Sequence, residues 1–205
     1  MILSSFGSTF HRSGASSAIP RRVFPPRTLC HTESVSAFPQ ELEPPRMSGQ
    51  PNPEFLRRAI ALATRNVLTA TGGPFAAVVV RDGKIVGEGA NSVTATNDPT
   101  AHAEVNAIRA AAKSLGTFSL AGCVLYTSCE PCPMCLSAAY WARLDAVYYG
   151  ASAADAARAG FDDAFLYAEL RKDPNQRRLQ ATQLLADEAW ASFAAWIAAP
   201  NKVEY

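Results

Sequence analysis

The spacing of apolar residues predicts a helix and then a β-hairpin at the start of the ordered part of the chain. Residues 53–70, PEFLRRAIALATRNVLTA, carry apolar side chains at helical spacing, and Pro53 suits a first helical turn. Two strand-like runs follow, PFAAVVV and KIVGEGANSV. They are joined by RDGK, in which Asp-Gly is a strong hairpin signal.

The rest of the chain alternates helix-like and strand-like segments. AHAEVNAIRAAAKSLG is a predicted helix, with Thr100 as a candidate cap and Gly116 as its stop, and Pro131 opens a further helix, PCPMCLSAAYWAR. We expect strands at CVLYTS, DAVYYG and LQATQLL, two short helices within 152–171, and a last helix at DEAWASFAAWIAA. This order predicts an α/β fold: a three-layer α-β-α sandwich whose mixed, largely parallel sheet has about five strands, with helices on both faces.

Residues 1–46 differ in composition from the remainder. They contain five Arg and six Pro but no Lys and no Asp, and they show no sustained period. We therefore expect a disordered extension at 1–46 and a single domain at 47–205. The first 32 residues hold no acidic residue, which is typical of a transit peptide; alternatively, translation begins at Met47. We expect a cytoplasmic protein, or an organellar one if the transit segment is real.

Composition narrows the classes of partner. A formal net charge of +1 does not indicate a nucleic-acid partner, and no apolar run reaches the length of a membrane helix. The five cysteines are Cys30, Cys123, Cys129, Cys132 and Cys135. An odd, clustered set is not typical of a disulfide framework and favours metal binding in a reducing compartment.

Three of these cysteines lie in the segment SCEPCPMC, about thirty residues after a His and a Glu in PTAHAEVNAI. Cys132 and Cys135 open a predicted helix, where unpaired N–H groups favour thiolates. Two thiolates and the neutral imidazole of His102 balance the charge of a divalent zinc ion. The fourth position then holds water, whose pKa zinc lowers to about 7, and Glu104 is free to accept its proton.

Other interpretations of the cluster stay open from the residues alone. Cys129 could complete a structural zinc site, the C-x-x-C pair could be a redox dithiol, or the cysteines could be core residues with His102 as a cap. A structural site gives Glu104 no role, and a dithiol needs no His-x-Glu helix. The joint pattern favours a catalytic zinc site.

That joint pattern, H-x-E followed by P-C-x-x-C, is typical of zinc-dependent nucleobase deaminases. The sequence resembles the cytidine deaminase superfamily from Phe55 to Tyr205. Within it, GGPFAAVVV, NDPTAHAEVNAIR, LYTSCEPCPMCLSAAYWAR, AGFDDAF and KVEY resemble the bacterial guanine deaminases. H-A-E and P-C-x-x-C are specific only to the superfamily, whereas GFDD, Trp141 and the C-terminal Tyr205 narrow the resemblance to guanine deaminase. The resemblance implies a fold of cytidine deaminase type and hydrolysis of guanine to xanthine and ammonia, a reaction of purine metabolism.

The resemblance also implies roles for individual residues. The zinc ligands, for one ion per subunit, are His102, Cys132 and Cys135. Glu104 is the general acid/base, and Asp163 is a second catalytic carboxylate near the departing amino group. From the residues alone, Asp162 and Asp163 are equal candidates and either could cap a helix.

The purine-binding residues implied by the resemblance are Phe75, Asn91, Ala103, Trp141 and Tyr205. The two aromatic rings Phe75 and Trp141 would sandwich the base, although from the sequence alone either suits a hydrophobic core. Tyr205 would close over the site, carried there by a C-terminal segment exchanged between the subunits of a homodimer. The expected ligand is a small-molecule purine, with no nucleic-acid and no membrane partner.

Guanosine deamination is the nearest alternative, since GGPF, DPTAHAE and GFDD suit it equally. A tail folded over the site leaves little space for ribose, which favours guanine. A tRNA adenosine deaminase should carry a basic helix near its end, whereas DEAWASFAAWIAA is acidic to neutral. A non-catalytic zinc-stabilised module would bind zinc without releasing ammonia.

Overall fold

Most of the helices and strands follow the order that the sequence predicts. The computed structural model describes residues 50–161 and 163–205, so the expectations for residues 1–46 and for Asp162 lie outside the described residues. In chain order the elements are α1 (Pro53–Leu68), β1 (Ala76–Arg81), β2 (Lys84–Ala90), α2 (Val93–Thr96), α3 (Ala103–Leu115), β3 (Cys123–Cys129), α4 (Pro133–Trp141), β4 (Ala146–Ala151), α5 (Ala153–Arg158), α6 (Ala164–Arg171), a 3-10 helix (Pro174–Gln176) and α7 (Ala186–Ala198).

The sheet is mixed, as predicted, and its strand order is β2-β1-β3-β4. It is not largely parallel, because β1 pairs antiparallel with both β2 and β3, and β3–β4 is its parallel pair. Across the described residues it has four strands rather than about five. The strand predicted at 179–185 is wrong for the single chain: this segment pairs with no strand there, and Leu179 and Leu184 are largely exposed.

The predicted hairpin is confirmed. Asp82 and Gly83 link β1 to β2, and both have left-handed backbones, with φ of 50° and 71°. Two consecutive residues with positive φ are the hallmark of a type I′ turn, whose twist matches that of the strands it joins. Arg81 then pairs with Lys84 and Ala76 with Ala90, so β2 ends beside the beginning of β1.

Helices cover both faces of the sheet, so the three-layer α-β-α sandwich is confirmed. Helix α1 packs on one face of β1 and β3, and α3 packs on the other face of β1 and β2. Along β1, Val78 joins the core under α1, whereas Ala77 and Val79 join the core under α3. This alternation is the two-residue period of a strand that is buried on both faces.

Helix α3 lies unusually close to β2. A Cβ atom on Gly89 would lie 2.4 Å from the Ala103 carbonyl oxygen and 2.4 Å from the Ala107 nitrogen. A Cβ atom on Gly87 would lie 2.5 Å from the Ala111 nitrogen. The helix backbone therefore rests directly on the strand backbone, which only glycine on β2 and small residues on α3 allow.

Helix ends agree with the predictions at some positions and differ at others. Gly116 ends α3 with φ of 65°, as predicted for a left-handed cap. The cap of α3 is His102, not Thr100, whose hydroxyl instead donates to Asp98 Oδ1 at 2.7 Å. Helix α4 begins at Pro133 rather than at Pro131, because Cys132 has an extended backbone and occupies the N-cap position.

The last two helices carry apolar residues that the single chain does not cover. Neither α6 nor α7 contains a buried residue, and Trp190, Phe193 and Ile197 of α7 are all more than half exposed. Apolar surface gathered in this way is typical of an interaction face.

In the part of the chain that the structure describes, no helix combines the length and the apolar character needed to cross a bilayer.

The close contact between α3 and β2 generates a prediction. Gly89→Ala should destabilise the protein by about 1–3 kcal/mol, because the new methyl group meets helix backbone and forces α3 away from the sheet. It should also weaken zinc binding, since α3 carries His102. Thermal unfolding and zinc content measure both effects. Lys84→Ala, at an exposed position of the same strand, is the control, and an unshifted midpoint in Gly89→Ala would contradict the close packing.

Candidate active site

Two helix N-termini meet at one edge of the sheet. Ala76 pairs with Ala90 and Ala77 with Thr127, so the beginning of β1 and the ends of β2 and β3 share this edge. The helices α3 and α4 both begin there. Each contributes the positive end of its dipole and unpaired N–H groups, which favour anionic groups such as thiolates and carboxylates.

The two helices present their side chains in the same way. His102 is the N-cap of α3 and Cys132 is the N-cap of α4, and both backbones are extended, with ψ of 156° and 168°. Residues two apart on a regular helix point in different directions. Because an N-cap residue lies outside the helix, His102 and Glu104 can nevertheless approach one site, as can Cys132 and Cys135.

His102, Cys132 and Cys135 form a cluster whose potential ligand atoms all lie within 4.8 Å of one another. His102 Nδ1 is 3.6 Å from Cys132 Sγ and 3.5 Å from Cys135 Sγ. A tetrahedral zinc ion with Zn–S and Zn–N bonds of about 2.3 and 2.05 Å separates its ligand atoms by about 3.6 Å. The cluster thus fits zinc without rearrangement, and the chain provides a site for one zinc ion per subunit.

Hydrogen bonds among His102, Cys132 and Cys135 change the pKa values of all three side chains. A hydrogen bond from Cys135 lowers the pKa of Cys132, and a hydrogen bond with His102 acts in the same direction, so the site favours the thiolate form of Cys132. The hydrogen bond with Cys132 and burial both raise the pKa of Cys135. The separate hydrogen bond between His102 Nδ1 and Cys132 Sγ raises the pKa of His102. Because a divalent metal binds cysteine as the thiolate, metal binding would displace any proton that these two thiols hold.

Glu104 lies on the first turn of α3 and is only 6% exposed. Burial raises the pKa of its carboxyl group, so this group holds a proton more readily than an exposed glutamate. The hydroxyl of Thr127, which is fully buried on β3, donates to Glu104 Oε1 at 3.2 Å. Thr127 was not predicted, although a hydroxyl within the apolar strand CVLYTS needs a buried partner and was a usable signal.

A cavity of about 560 Å³ opens beside the cluster. Of the predicted site residues, it is lined by Phe75, Asn91, His102, Glu104, Cys132 and Asp163. The other lining residues, none of which was predicted as a site residue, are Ala70, Gly72, Gly73, Val93, Thr94, Glu130 and Phe161. Phe161 contacts Phe75 edge to face, with ring centroids 4.7 Å apart. The cavity is large enough for a flat heterocycle and combines an aromatic wall with three carboxylates.

The structure places the other predicted site residues elsewhere. Ala103 is fully buried beneath Gly89 and is not part of the cavity lining. Trp141 and Tyr205 are 64% and 76% exposed, and their ring centroids lie 6.3 Å apart. They line a separate groove with Phe118 rather than the cavity of their own chain. The purine-binding roles of these residues stay predictions.

Cys129 does not join the cluster, which among the described residues consists of His102, Cys132 and Cys135. Its thiol donates instead to the Ser152 carbonyl oxygen at 3.7 Å. Burial and the nearby charge of Glu104 raise the pKa of Cys129 to about 11, so it stays protonated at neutral pH. The structural zinc interpretation therefore lacks its fourth protein ligand, and a three-ligand site remains, as catalytic zinc requires.

Comparison with known proteins assigns this site to a class. The protein-family model for the cytidine and deoxycytidylate deaminase zinc-binding region matches residues 50–151 of the sequence. The chain belongs to this family of zinc-dependent deaminases, and its α/β fold is of the cytidine deaminase type, as the sequence predicted.

Guanine deaminases are among its relatives. The chain is 55% identical to the guanine deaminase of Bacillus subtilis over 151 residues, which are 74% of this chain and 97% of that protein. The crystal structure of the Bacillus subtilis guanine deaminase matches with a TM-score of 0.74 and 53% identity, covering 76% of this chain and 99% of that chain. A guanine deaminase structure from Nitrosomonas europaea matches with a TM-score of 0.52 and 33% identity, covering 56% and 66% of the two chains.

The contact between Thr127 and Glu104 generates a second prediction. Thr127→Val keeps the shape of the side chain but removes the hydrogen bond, so Glu104 loses its orientation. We expect retained zinc and a turnover rate lowered by about tenfold, which corresponds to about 1.4 kcal/mol for a hydrogen bond to a charged group. Thr127→Ser, which keeps the hydroxyl, is the control. A valine variant as fast as the parent would remove Thr127 from the site.

Proposed function

We infer that the protein catalyses the hydrolytic deamination of guanine to xanthine and ammonia, a reaction of purine metabolism. The observation that carries this conclusion is the three-ligand cluster with a buried glutamate beside it, opening into a cavity of about 560 Å³, in a chain that matches 97% of a guanine deaminase at 55% identity. Similarity to the tRNA-specific adenosine deaminase of Agrobacterium fabrum covers only 38% of this chain and 51% of that protein.

His102, Cys132 and Cys135 would hold the zinc ion, which would supply a nucleophile at neutral pH by lowering the pKa of water. Glu104 accepts a proton from the attacking water as the water oxygen forms a bond to C2 of guanine. The same carboxyl group then delivers the proton to N3. A carboxyl whose pKa is raised by burial suits a group that must both take and return a proton.

Loss of the amino group completes the reaction. The new hydroxyl on C2 gives up its proton, and the amino nitrogen gains one. The bond between C2 and this amino nitrogen then breaks, ammonia leaves and a carbonyl forms at C2. Glu104 is one carrier of this proton, and Asp163 is a second because it lines the same cavity at the start of α6. Each such proton transfer contributes about 10²–10⁴ in rate.

The cavity walls provide for a flat base. Phe75 offers a ring face whose edge-to-face partner, Phe161, restricts its rotation. Asn91, next to it on the wall, offers an amide group that can donate and accept hydrogen bonds with the purine. We assign these two residues to binding and orientation of the base.

The reaction and the role of Glu104 are tested together. Glu104→Gln should retain zinc but lower kcat by about 10²–10⁴, because the amide cannot carry the proton. Ammonia release from guanine, guanosine, adenine and cytosine, each supplied separately, measures substrate choice. Glu88→Gln, a change in an exposed ion pair with Arg58, is the control and should be fully active.

Three outcomes are informative. Ammonia from guanine alone supports the proposed function. Ammonia from guanosine alone would keep the zinc chemistry and transfer the assignment to the nucleoside. Bound zinc without ammonia from any of the four compounds would favour a non-catalytic zinc module.

We propose further that the protein is a homodimer whose C-terminal segments are exchanged. Supporting this, Trp190, Phe193 and Ile197 are exposed on a single chain, and Trp141 and Tyr205 line a groove apart from their own cavity. A second copy would cover the apolar face of α7. In this arrangement Trp141 and Tyr205 would complete the purine site of the partner, opposite Phe75.

Complementation between two inactive chains tests the exchange. One chain carries Glu104→Gln, and the other lacks residues 202–205. Heterodimers isolated through two affinity tags should regain about half of the parental activity, because one of their two sites combines an intact Glu104 with an intact tail from the partner. Heterodimers as inactive as both parents would mean that each tail serves its own chain.

We propose a cytoplasmic location. The zinc ligands include two cysteines, and the four cysteines of the described part of the chain are free thiols. Such thiols persist in a reducing compartment.

A further inference from the structure

Asn66 is a buried amide, and two of its hydrogen-bond partners line the cavity. It belongs to the last turns of α1 and is 7% exposed. Its Nδ2 donates to the Gly73 carbonyl oxygen at 2.9 Å and to the Asn91 carbonyl oxygen at 2.8 Å. Its Oδ1 accepts a hydrogen bond from the hydroxyl of Thr71 at 2.7 Å. The side chain thus joins α1 to the segment before β1 and to the residue after β2.

Asn106 makes the corresponding contacts from the other face of the sheet. It lies on α3, and its Nδ2 donates to the Ala90 carbonyl oxygen at 2.9 Å and approaches Ser92 Oγ at 3.1 Å. Residues 90–92 are therefore held by two asparagines, one from the helix on each face. Neither asparagine lines the cavity.

The position of these contacts explains why they are needed. β2 ends at Ala90, and the backbone beyond a strand end requires hydrogen-bond partners from outside the ladder. The backbone nitrogen of Asn91 donates to the Phe75 carbonyl oxygen at 2.9 Å, which ties together the two residues assigned to the purine. A Cβ atom on Gly72 would lie 2.1 Å from the Asn91 carbonyl oxygen, so the segment between α1 and β1 packs against the end of β2.

We propose that Asn66 and Asn106 are positioning residues that fix the backbone of residues 90–92 and so hold the amide of Asn91 against the bound purine. This inference rests on the proposed function, in which Asn91 binds the base. Asn66 acts from outside the cavity, through the Asn91 carbonyl group. Loss of either asparagine side chain would allow residues 90–92 to move and would misalign the hydrogen bond between Asn91 and the substrate. The zinc ligands would stay in place.

A double-mutant cycle separates positioning from general stability. In the parent, Asn66→Ala should lower kcat/KM for guanine roughly tenfold; in an Asn91→Ala background the same change should lower it by less than about twofold, since the group it positions is gone. Equal losses in the two backgrounds would overturn the proposal. Thr64→Val, which removes an exposed hydroxyl from the same helix, is the control.

Hydrogen exchange gives a readout that does not depend on turnover. The amides of residues 90–92 should exchange faster in Asn66→Ala than in Thr64→Val, whereas those of β3 should be unchanged. Unaltered exchange at 90–92 would overturn the proposal even in an active enzyme. If the parent released no ammonia from guanine, the proposed function would fail, and exchange would still decide whether Asn66 holds this segment.

A milder variant covers the case in which Asn66→Ala does not fold. Thr71→Val removes only the hydroxyl that orients the Asn66 amide, at an exposed position. It should produce smaller changes of the same sign, both in kcat/KM and in exchange at residues 90–92. Parental values of both quantities in a folded Thr71→Val protein would contradict the role of the Asn66 amide.

Discussion

The direct contact between the backbones of α3 and β2 is the constraint on which the site depends. Because Gly87 and Gly89 have no side chains, α3 packs directly against β2. Ala107 and Ala111 of α3 lie at this contact. This contact fixes how far the N-terminus of α3 extends along the sheet edge. The helix–strand contact therefore sets the distance from β2 to His102, Glu104 and Asn106. In this way the packing of glycine against alanine determines the geometry of a polar site.

Two helix N-termini then define the chemistry of that edge. Each helix places one zinc ligand at its N-cap, outside the helix, and a second functional residue within the first turn. The resulting field favours thiolates and a carboxylate in a small volume, where anions would otherwise repel one another. Burial opposes ionisation of Glu104, while the neighbouring hydrogen bonds favour the thiolate of Cys132. The site thus combines a carboxyl group that holds its proton more readily than usual with a thiol that loses its proton more readily than usual.

Much of this could be predicted from the sequence, because the decisive signals are local. The Asp-Gly turn, the cap at Gly116 and the H-x-E and C-x-x-C motifs each lie within a few residues. The sandwich was therefore predicted correctly, and the structure brings together the three side chains that were predicted as metal ligands. The strand at 179–185 was not, since an apolar segment becomes a strand only where a sheet edge accepts it. The direction of strand pairing likewise depends on how the hairpin is placed beside β3.

The missed residues share a different property: their partners are remote in the sequence. Thr127 meets a residue 23 positions away, and Asn66 meets one 25 positions away. A buried hydroxyl or amide indicates that some partner exists, but only the folded chain indicates which one. Trp141 and Tyr205 also lie apart from the cavity and line a separate groove, a placement that the sequence alone did not indicate.

The position of the zinc ligands has a consequence for folding as well as for chemistry. His102 and Cys132 are thirty residues apart, with the whole of α3 and β3 between them. An ion bound by both closes this stretch into a loop, much as a disulfide would, and reduces the conformational freedom of the unfolded chain. An ion bound there would therefore act as a cross-link as well as take part in catalysis. Zinc binding should accordingly contribute to the stability of the folded chain.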